Sequence, residues 1–137
     1  MELNRHQIRE IAFQTLFALY TNDQTDWNDF FQALTDGKYG EDYPEYLNTL
    51  ISGVLDHRQS IDDTIKKYLN KSWSLDRLAK TDLIIIELAI YEMQYEDDVP
   101  EKVSINEAIE LAKKFSDDRS RKFVNGILSH TLEESKK

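Results

Sequence analysis

Cysteine is absent from the 137 residues, which excludes disulfides, thiolate metal sites and cysteine nucleophiles. The absence fits a reducing cytoplasm, the compartment expected for this chain. Proline occurs twice and glycine four times. Sandwiches, barrels and parallel α/β folds all consume more chain-breakers than that, so long helices are expected. No apolar run reaches the length a membrane-spanning helix needs, so no membrane contact is expected. The opening MELNRHQIRE lacks the apolar core of a secretion signal. Positive charge is also scarce, with 17 basic against 26 acidic residues and a net charge of −9. Taken as a bare sum, that balance speaks against nucleic acid, because gripping phosphates requires concentrated cations.

What is present reads as one helical domain spanning 1–137. Hydrophobic residues make up 40% and charged residues 31%, the proportions of a globular chain. A first helix is expected from Asn4, a good N-cap, to Tyr20. Its inward positions are Ile8, Ile11, Ala12, Leu16 and Leu19, widened by Phe13, Phe17 and Tyr20. A short second helix fits Asp26 to Asp36, with Gly37 just beyond its end. A long third follows from Pro44 and Glu45 to about Asn70, with a bend or break allowed at 57–60. Gly53 inside it costs about 1 kcal/mol relative to alanine, which close packing against another helix would offset. A short turn at 75–78 precedes residues 81–96, which are apolar almost all round and therefore central. The run Ile84, Ile85, Ile86 also suits a buried strand, but the length of the pattern favours helix. Ser104 and Glu107 have capping-box spacing and set the start of a helix at Ile105, running to Phe115. A last helix covers about 119–134, with a frayed tail. These make about seven helices.

No catalytic constellation emerges. His6, His57 and His130 lack the spacing of a helical metal site, and no glycine-rich phosphate loop or hydrolase serine elbow exists. The acidic pairs 62–63, 97–98 and 117–118 are chain neighbours, which point about 100° apart on a helix and do not converge as acid and base. No enzyme activity, cofactor or metal is expected.

The cations, though few, are clustered. Arg5, His6 and Arg9 open the first helix. Lys66, Lys67, Lys71, Arg77 and Lys80 lie within 66–80 against a single Asp76, and KKFSDDRSRK at 113–122 holds five basic side chains. Tyr68 and Phe123 sit beside them. Cations that hold phosphates and rings that stack on bases suit single-stranded RNA. Against this, solvated lysines around core aromatics would give the same composition, and composition alone favours that blander reading.

The segment VPEKVSINEAIELAKKFSDDRSRKFVNGILS at 99–129, the LAIYEM at 88–93, and Arg9, Glu10, Ala12, Gln14 and Leu16 decide between them. In order and spacing they resemble the NusB family of bacterial transcription antitermination factors. The likeness covers nearly the whole chain, most specifically 105–115 and 123–126. It implies an all-α fold of two packed helical bundles and a non-enzymatic adaptor. It implies binding of boxA RNA in ribosomal RNA leader and spacer transcripts, as a heterodimer with the small-subunit ribosomal protein NusE. NusA, NusG and RNA polymerase would complete the assembly. Family RNA contacts match Arg5, His6, Arg9, Tyr68, Lys122, Phe123 and Asn125, and family partner contacts match Phe17 and Asp82. Two positions depart from the pattern: Leu83 replaces a usual basic residue, and Glu87 stands where arginine is common. The three basic patches are expected to meet on one face, leaving the acid excess to favour a basic protein. Gly126 allows close approach of RNA or of another helix, and the inward look of Phe123 and Ile127 favours packing. A homodimer stays open. The competing readings are a helical protein–protein module without RNA affinity and an accessory domain related to ribosomal RNA cytosine methyltransferases.

Overall fold

The computed structural model describes residues 3–69 and 74–135, with side chains described to residue 132. Asn70, where the long helix is expected to end, and Lys71 of the second basic cluster lie outside them. Among the described residues there are six α-helices, one 3-10 turn and no strand: α1 (Arg5–Thr21), α2 (Trp27–Thr35), α3 (Glu45–Tyr68), the 3-10 turn (Leu75–Arg77), α4 (Lys80–Tyr95), α5 (Glu101–Phe115) and α6 (Asp118–Ser135). The chain divides into two compact units, residues 1–52 and 53–137, with α3 running through the division.

In the first unit, Asn4 caps α1 as its sequence suggests. The Asn4 side chain accepts from the Gln7 backbone N–H at 2.8 Å, and Gln7 Oε1 accepts from the Asn4 N–H at 2.9 Å. Two otherwise orphaned helix donors are thereby satisfied. Asp26 caps α2 by accepting from the Asp29 N–H at 2.9 Å. The chain leaves α2 through Asp36 at φ 55° and Gly37 at φ 69°, left-handed backbone that stops a helix and that glycine adopts without strain. Phe31, fully buried, gathers Tyr39 and Tyr43 around it at centroid distances of 6.2 and 5.2 Å. Ile8, Ile11, Ala12, Phe13 and Leu16 are buried along α1, whereas Phe17 and Tyr20, expected to widen the buried stripe, are 39% and 37% exposed.

In the second unit α4 is the centre, packed against α5 and α6. Ile84, Ile85 and Ile86 are all fully buried, which three consecutive helical residues achieve only when neighbours cover every side. The segment is helix, not strand. α3 passes through 57–60 without a break, since His57 and Arg58 are both used in packing. His57 stacks on Tyr95 at 4.1 Å and on Tyr91 at 6.2 Å. Arg58 reaches the fully buried Glu87 at 3.3 Å. Glu87, the departure from the family's usual arginine, thus sits against a cation. Burial pushes its carboxyl well above the ordinary value of 4.5, the Asp62 carboxyl adds to that, and Arg58 opposes it. A Cβ on Gly53 would collide with the Tyr91 ring, so the close approach of α3 to α4 is what this glycine permits.

One boundary corrects the sequence reading. α5 starts at Glu101, a turn before Ser104, because the Pro100 carbonyl accepts from Val103 and Ser104 and opens the helix itself. Ser104 is consequently buried inside the helix, not its cap. α6 spans Asp118–Ser135, within one residue of the expected bounds at each end.

Candidate nucleic-acid interface

The sequence-expected RNA residues fall into both units. In the first unit, Arg5 and His6 are exposed at the start of α1. Arg5 lies over the Tyr46 ring at 4.1 Å, a cation–π contact that orients the guanidinium, and His6 Nε2 meets Glu10 Oε1 at 3.0 Å. Arg9 differs from its neighbours, being only 4% exposed. The basic side chains that α1 offers to solvent are therefore Arg5 and His6.

In the second unit the ends of α3, α4 and α6 and the 3-10 turn line an open cavity of about 570 Å³. Its lining joins two segments that the sequence shows only as separate basic clusters. Arg77 comes from 66–80 and Arg119 from 113–122, and Tyr68 and Phe123 line the same cavity. Both aromatics are half-buried, so neither is a simple core residue. The Tyr68 ring is held from behind by parallel stacking on His130, at 5.6 Å and 9°. Lys122 and Asn125 are exposed on α6 beside Phe123. A Cβ built on Gly126 meets nothing within 4 Å among the described residues. The expected helix packing at this glycine is thus replaced by open space.

Asp82 also lines this cavity and is only 9% exposed. The family resemblance implied a partner-facing role for it, without showing that it would sit among the RNA candidates. Burial raises its carboxyl pKa; a hydrogen bond from Ser120 opposes the rise and the nearby Asp117 charge adds to it. Ser120 is fixed from two directions. Its hydroxyl accepts from Ser116 Oγ at 2.7 Å, and its backbone N–H donates to Asp117 Oδ1 at 2.9 Å. That backbone bond to the N-cap of α6 holds the Asp117 carboxyl below its ordinary value. Asp82 Oδ1 and the Tyr68 hydroxyl are buried without a hydrogen-bond partner. Sequence reasoning missed Arg77 and Arg119 as individual site residues. Both lay inside named clusters, but only the fold turns one cation of each toward a common space. Among the described residues no group of His, Asp or Glu is arranged to hold a metal, and no helix is long and apolar enough to cross a membrane.

Comparison with known proteins gives a consistent answer. The sequence model of the NusB family matches residues 6–133. The transcription antitermination protein NusB of Lactiplantibacillus plantarum is 54% identical over 134 residues, covering 96% of this chain and 96% of that protein. That of Enterococcus faecalis is 48% identical over 141 residues, covering 97% and 92%. Among solved structures, T. maritima NusB superposes with a TM-score of 0.85 at 36% identity, covering 98% of this chain and 94% of that one. A chain from the crystal structure of the antitermination factors NusB and NusE in complex with dsRNA gives a TM-score of 0.77 at 26% identity, with 92% and 93% covered.

Proposed function

This chain belongs to the NusB family of non-enzymatic transcription antitermination factors, and from that premise we propose that it is an RNA-binding adaptor acting on ribosomal RNA transcripts. Its RNA ligand is the boxA element of leader and spacer RNA. Its partner is the small ribosomal protein NusE, and the pair works in the cytoplasm with NusA, NusG and RNA polymerase. The observation that carries this reading is the meeting of Arg77 and Arg119 with Tyr68 and Phe123 at one cavity. Cations there hold phosphates while rings take base faces, the combination that single-stranded RNA recognition requires. Lys122 and Asn125 extend the contact along α6, and Arg5 and His6 supply a second contact from α1. A solved complex of relatives containing NusB, NusE and dsRNA supports RNA as the class of ligand and NusE as the partner.

Phe17, exposed on α1 with its ring 6.2 Å from that of buried Phe13, offers the partner an anchored aromatic. The acid excess of the chain complements a basic ribosomal protein and favours fast encounter. The test is fluorescence anisotropy of labelled boxA RNA, with a scrambled control, in the presence and absence of the ribosomal partner. Preference for boxA when the partner is present is the expected result. Equal affinity for the two RNAs would defeat the sequence-specific reading.

A further inference from the structure

Resting on the RNA-binding reading above, we propose that His130 is a positioning residue: without touching the RNA, it sets through its stack on the Tyr68 ring the orientation in which that ring meets the ligand. Tyr68 is the last residue of α3 and is half-buried. Helix ends fray, and a side chain there is held by what it packs on more than by its own helix. The Tyr68 hydroxyl is buried without a hydrogen-bond partner among the described residues, so no polar contact fixes the ring either. The His130 ring does. The two centroids lie 5.6 Å apart and the planes are within 9° of parallel, the offset-stacked geometry that aromatic pairs favour. His130 belongs to α6, so the stack ties the end of α3 to the helix that carries Lys122 and Phe123.

The different roles of the two rings follow from where each sits. Among the described residues that line the cavity, Tyr68 is present and His130 is not. A ring has two faces, and with His130 alongside one of them the other is left to the ligand. His130 itself is exposed, and an exposed side chain adds little to folding stability. The effect of the stack is therefore preorganisation. A tyrosine free to turn about its side-chain torsions must be ordered when RNA arrives, and ordering one such side chain lowers affinity. His130 imposes that order when the chain folds, before any ligand is present.

The experiment is a double-mutant cycle over positions 68 and 130, using the full chain with the ribosomal partner and labelled boxA RNA. His130→Ala should weaken RNA binding about fivefold, and His130→Phe, which keeps a ring to stack, should restore affinity to within about twofold of wild type. In a Tyr68→Leu background the same His130→Ala change should cost nothing further, because no ring remains to be positioned. In the free chain His130→Ala should shift the ring-proton resonances of Tyr68, since the neighbouring ring current is gone, while the melting temperature moves by about 2 °C or less. If His130→Ala does not fold, His130→Gln, polar and without a ring, takes its place throughout. Unchanged RNA affinity in His130→Ala overturns the inference. So does an equal loss in the Tyr68→Leu background, which makes His130 a separate contact, and so does a failure of His130→Phe to rescue. If Tyr68→Leu alone binds RNA like wild type, or if wild type binds no boxA RNA, the reading of Tyr68 or of RNA binding has failed, and the inference falls with it.

Discussion

Two glycines, both inside helices, should respond to alanine with opposite signs. Gly126 lies in α6 with helical backbone, and an added Cβ meets nothing within 4 Å among the described residues. Nothing opposes the gain in helix propensity, so Gly126→Ala should stabilise by about 1 kcal/mol. For a chain of this size that raises the melting temperature by about 3–5 °C. Gly53 in α3 receives the same propensity gain, but its Cβ would enter the Tyr91 ring. That ring cannot swing away cheaply. It is stacked on Tyr95 at 5.4 Å and on His57 at 6.2 Å, and its hydroxyl donates to Glu96 Oε2 at 2.9 Å. Overpacking of about 1–3 kcal/mol then outweighs the propensity, giving a net loss of up to about 2 kcal/mol. Urea unfolding followed by far-ultraviolet circular dichroism measures both, and an unchanged slope would place the effect on stability and not on the unfolded state. A destabilised Gly126→Ala, or a stabilised Gly53→Ala, would refute the account of what these glycines do.

Further predictions concern the charged interior, the caps and the partner face. The Glu87 carboxyl is raised above 4.5 in the folded chain, so the folded state holds a proton that the unfolded state has released. Its contribution is fully present below pH 4.5 and is lost as pH rises toward the folded value, and Glu87→Gln should flatten this decline in urea titrations across that range. Arg58→Ala removes the donor 3.3 Å from the buried Glu87 carboxyl, which keeps its proton at neutral pH, so it should cost about 1 kcal/mol there and more as pH rises toward the folded value, by the same titrations. Asp26→Ala deprives α2 of its cap and should cost about 1 kcal/mol in thermal unfolding. Phe17→Asp should abolish partner binding in calorimetry while shifting stability by about 0.5 kcal/mol or less, as befits a side chain 39% exposed.

Local signals in the sequence were read well because they act locally. Asn4 and Asp26 cap the helices they precede, Gly37 follows the end of α2, and the apolar run around Ile84–Ile86 is the central helix. Ser104 misled, because a capping-box spacing is as readily met inside a helix that Pro100 has already begun. What depends on three dimensions was not legible. Arg58 and Glu87 are 29 positions apart and only the packing of α3 on α4 makes them neighbours. Arg9 sits one turn from Arg5 on the same face of α1, yet Arg9 is buried while Arg5, at the open end of the helix, stays out. Gly126 is flanked by Phe123 and Ile127, which suggested a packed surface, but Ile127 turns in while Gly126 itself faces open space. The residues of the cavity came from two clusters already noted, and their convergence is a property of the fold.

The central claim is that this acidic chain grips RNA through the few cations it places locally. Salt dependence tests it most directly: affinity of the full chain with its ribosomal partner for boxA RNA, measured from low to high salt, for wild type and for Arg119→Ala. The account predicts a linear fall of log affinity with log salt, with a slope of about −0.7 per phosphate held and a shallower slope in the variant. An affinity indifferent to salt, or a slope that Arg119→Ala leaves unaltered, would contradict it.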